Sequence, residues 1–91
     1  MKKIKNSDLW GLHDTLAKII LPYLIAFKKI NTNTYTGKSH KEWHKVIDKM
    51  IFAMKWIATD DKRIELPTDK QEKEIQEGCE LFGKYFRDLW D

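Results

Sequence analysis

The sequence predicts an all-α fold: a three-helix bundle whose first helix is central and bent by a proline. Three observations carry this. Apolar residues recur at steps of three and four in three separate stretches, the spacing that lines one face of a helix. Two of these stretches follow a Ser or Thr with Glu or Gln three residues on, the pattern of a capping box. The remaining stretch, Thr15 to Ile30, is the most apolar run in the chain and holds Pro22 near its middle. Ninety-one residues make one domain, and connectors of about nine residues suit antiparallel neighbours.

Residues 1–7 read as a short tail. The first helix is expected over about 8–30. Ser7 or Asp8 can cap it, and Gly11 weakens the turn made by Leu9, Trp10 and Leu12, since Gly costs about 1 kcal/mol relative to Ala in a helix interior. The helix therefore either runs on from Asp8 or restarts at Asp14. Leu16, Ile19, Ile20, Tyr23, Leu24, Phe27 and Ile30 keep one face, and Leu21, Ile25 and Ala26 widen it. A helix apolar on several sides is covered on several sides, here by the other two helices and a second subunit. Pro22 cannot donate to the Lys18 carbonyl, so a bend is expected that turns Trp10 and Phe27 into the core.

Residues 31–39 form a polar connector in which Tyr35 is the one large ring. It either folds back onto the core or presents to a partner. The second helix, 40–59, opens with the capping box Ser39–Glu42 and carries Trp43, Val46, Ile47, Met50, Ile51, Met54 and Ile57 on its stripe. Asp60 and Asp61 end it, because the helix dipole disfavours acids at the C-terminus. A second connector leads to the capping box Thr68–Gln71 and a third helix over about 69–90. Its stripe is Ile75, Cys79, Phe82, Phe86 and Leu89. Gly78 and Gly83 weaken this helix locally, and glycine there lets another backbone or a ring approach closely.

Composition narrows the function classes. Cys79 is the only cysteine, so no disulfide framework exists, and on an apolar stripe it reads as a small hydrophobe. The basic start lacks a signal-peptide pattern, and the apolar run contains Lys18 and Pro22 and is too short to span a bilayer. A cytoplasmic location without a membrane role is expected. The net charge of +3 divides into +7 over residues 1–58 and −4 over 59–91. That asymmetry suits either attraction between the two parts or a basic face for an anionic partner.

His40 and His44 share a helix face, but the sequence places no third metal ligand beside them, and the metalloprotease pattern needs Glu directly after the first His. The four glycines never cluster into a phosphate loop, and no nucleophile–base or carboxylate pair is visible. No catalytic residue, metal site or cofactor is expected. Lys41, Lys45 and Lys49 make a basic ridge on the second helix, preceded by Lys38. Such a ridge touches phosphates on a nucleotide or a nucleic acid, or it is a solvated face. Arg, the usual reader of base edges, appears only twice. Trp10, Trp43, Trp56 and Trp90 exceed what three short stripes need, which leaves apolar surface for a second copy or a target.

Three segments in order carry a resemblance: Trp10 and Thr15 with Ile20-Leu-Pro-Tyr-Leu24 and Phe27; Glu42-Trp43 with Ile47-Asp-Lys-Met-Ile51; and Leu81-Phe-Gly-Lys-Tyr-Phe86 with Leu89-Trp-Asp91. Together they resemble a family of small helical proteins encoded by tailed bacteriophages and prophages, over most of residues 8–91 apart from the connectors. The resemblance transfers no functional residue. It implies a phage accessory protein acting inside a bacterial cell by binding, such as one that antagonises a host defence protein. The expected function is therefore a non-catalytic binding protein with a host protein as target, its contacts made by Tyr35, Lys41, Trp43, Lys45 and Lys49. The alternatives are sequestration of an anionic nucleotide signal by the same lysines with Tyr35 or a Trp stacking on the base, and non-specific nucleic-acid binding.

Overall fold

The computed structural model describes residues 4–30, 39–59 and 65–89, without the side chains of Ser7 and Asp8. It is an all-α three-helix bundle, and no strand occurs among the described residues. A short helix α1 (Asn6–Trp10) leads into α2 (Leu12–Ile30), followed by α3 (His40–Ala58), α4 (Asp69–Lys84) and a 3₁₀ turn at Phe86–Asp88. Tyr35, Lys38, Trp90 and most of both connectors lie outside the described residues.

Local chemistry sets the ends. Gly11 separates α1 from α2, so the first helix restarts, at Leu12 rather than Asp14, with Asp14 in its first turn and paired to Lys18 at 2.9 Å. The helix continues through Pro22, which faces solvent. Ser39 caps α3 by accepting from the Glu42 N–H at 3.2 Å. Thr68 caps α4 with both halves of the box formed: its hydroxyl accepts from the Gln71 N–H at 3.1 Å, and its own N–H donates to Gln71 Oε1 at 2.9 Å. At the far end of α3 the Thr59 hydroxyl donates to the Lys55 carbonyl at 2.9 Å. The third helix stops at Lys84, short of the expected 90, and its last stripe residues enter the 3₁₀ turn.

Helix α3, not α2, occupies the middle. It packs against both α2 and α4, whereas α2 and α4 scarcely approach each other at the backbone. Among the described residues, α3 supplies six of the eight buried hydrophobic side chains: Trp43, Ile47, Met50, Ala53, Met54 and Ala58. Helix α2 adds only Ala17 and Leu24. This corrects the expectation that Thr15–Ile30 is the central element. Its apolar arc is wide, but one neighbouring helix covers only the strip carrying Ala17, Leu21 and Leu24. Trp10, expected in the core, is 86% exposed on α1.

Ion pairs join the helices: Lys28, late in α2, meets Asp48, midway along α3, at 2.6 Å, and Lys49 meets Glu77 of α4 at 3.2 Å. Trp43, near the start of α3, packs on Tyr85, just past the end of α4, and His13, at the start of α2, lines one cleft with Trp56 and Ile57 near the end of α3, so neighbouring helices are antiparallel, up-down-up. At the α3–α4 crossing Gly78 is buried. A Cβ built there falls 2.5 Å from the Ala53 Cβ and closer still to the Lys49 carbonyl oxygen. Only a glycine allows the two backbones this near. Gly83 has open space around it and plays no such part.

The extents are 39 × 39 × 20 Å, the shortest of them about two helix diameters of about 10 Å. The radius of gyration is 14.2 Å, against about 12 Å for a compact domain of this length.

Candidate functional site

The expected contact residues divide. Lys41, Lys45 and Lys49 are exposed on α3, four residues apart. Lys49 is tied to Glu77, and Asp48 stands beside it, so the lower end of the ridge is electrically balanced. Trp43 is buried in the core rather than presented on the surface of α3. It is 0% exposed, because the 4-3-4 spacing of Trp43, Ile47, Met50 and Met54 puts it on the innermost line of the innermost helix. Its ring meets Tyr85 edge-on, with centroids 5.7 Å apart and planes at 85°. The indole N–H has no hydrogen-bond partner among the described residues, a cost of about 1–3 kcal/mol that the surrounding packing offsets. Tyr35 lies outside the described residues. Among the described residues, no ring stands beside the three lysines as a stacking partner of the kind expected of Tyr35.

His40 and His44 lie with ring centroids 4.1 Å apart, and among the described residues no group of three or more candidate metal ligands forms. Cys79 packs against the core. Burial pushes its thiol above the ordinary value, and the Glu80 carboxylate adds to the effect. A protonated thiol is a poor nucleophile. No helix among the described residues is long and apolar enough to cross a membrane.

An apolar groove lies elsewhere. It has a volume of about 350 Å³ and lies between α2 and the end of α4. One wall is Ile19, Ile20, Tyr23, Leu24 and Phe27 of α2; the other is Phe82, Phe86 and Leu89 from the end of α4 and the turn after it. Phe82 and Phe86 pack edge to face at 5.4 Å. Tyr23 is 74% exposed and Phe86 60%. Apart from the Tyr23 hydroxyl the lining side chains carry no polar group, so nothing converges there to hold an anion, a metal or a reacting atom. What the groove can do is take apolar surface out of water.

Sequence reasoning placed these residues in the core. For Ile19 and Tyr23 the sequence does carry a signal: they belong to a second line on α2, Leu12, Leu16, Ile19, Tyr23, Ala26 and Ile30, whose 4-3-4-3-4 spacing is separate from the buried Ala17 and Leu24 and the half-buried Leu21. No family model matches the chain, and neither the curated proteins nor the solved structures contain a match to it.

Proposed function

We propose that this protein acts without catalysis, by docking the apolar face of a helix from another protein into the groove between α2 and the end of α4. The exposed, apolar lining of that groove carries the reading. Amphipathic helices bind such grooves through residues at i, i+3, i+4 and i+7, and α2 offers its own at Ile19, Tyr23 and Phe27 with Phe86 opposite. Hot spots cluster on large apolar and aromatic side chains in concave settings. The resemblance to phage-encoded accessory proteins supports a target in the bacterial cell, such as a defence protein. For the nucleotide and nucleic-acid readings, Trp43 is buried and Lys49 is paired with Glu77, while Tyr35 lies outside the described residues.

Capture from bacterial lysate with quantitative mass spectrometry tests this. The wild-type chain and Lys41→Glu/Lys45→Glu are expected to enrich the same protein, and Phe86→Glu to lose it at least tenfold. A protein retained by Phe86→Glu but lost by the lysine variant would move the function to α3.

A further inference from the structure

We draw no further inference here: the strongest candidate, the exposed apolar line of Leu12, Leu16, Ile19, Tyr23 and Ile30 along α2, borders the groove already described, and nothing in the structure shows what covers it.

Discussion

Replacing Gly78 by Ala tests the packing on which the whole arrangement rests. The new methyl carbon would sit 2.5 Å from the Ala53 Cβ and closer to the Lys49 carbonyl. Neither atom is the end of a flexible side chain, so α3 and α4 must move apart along their length. Overpacking of this kind costs about 1–3 kcal/mol, and here it meets backbone, which places it at the upper end. Better helix propensity returns up to about 1 kcal/mol, leaving a net loss of about 2 kcal/mol. For a domain of this size that lowers Tm by roughly 8–16 °C. Gly83→Ala is the control in the same helix: its Cβ meets nothing within 4 Å, so it should gain up to about 1 kcal/mol. Gly78→Ala/Ala53→Gly removes one of the two clashes and should recover part of the loss. Urea and thermal unfolding of the four chains measure this. Gly78→Ala as stable as wild type, or the two glycine variants shifting Tm in the same direction, would refute the close crossing.

Two further outcomes follow from the core. Trp43→Ala should cost about 3–5 kcal/mol, enough to unfold much of a marginal domain, whereas Trp43→Phe keeps a ring against Tyr85, removes the unpartnered N–H and should cost far less; urea midpoints separate the two. The Cys79 thiol, held protonated by burial and by Glu80, should react with iodoacetamide more slowly than glutathione at pH 8, with the gap closing as pH rises past the ordinary thiol range; faster labelling of the folded chain would contradict this.

Much of the fold is legible in the residues, since spacing and capping are local. Ser39 and Thr68 start helices where their boxes stand, and Thr59 ends α3. The stripe from Trp43 to Met54 is buried, and Gly78 marks a close approach. Which helix takes the middle is not local. Thr15–Ile30 is the more apolar stretch, yet α3 has the single well-defined stripe flanked by small residues, Ala53 and Ala58, that let two neighbours in. The breadth of apolar surface on α2 then reports exposure rather than depth in the core. The same substitution of roles moves the candidate site. Trp43 reads as a contact residue by type, but its register with Ile47 and Met50 places it inside. Phe86 reads as core by spacing from Phe82, but the helix ends at Lys84 and the turn after it carries the ring outward.

The most direct test of apolar docking is calorimetry of the chain with its captured partner, repeated over temperature and salt. Docking into an apolar groove predicts a negative heat-capacity change, the mark of apolar burial, with an affinity that changes less than about threefold between low and high salt because no phosphate or charge cluster is engaged. A heat-capacity change near zero together with an affinity that falls steeply with salt would contradict it and return the function to the lysines of α3.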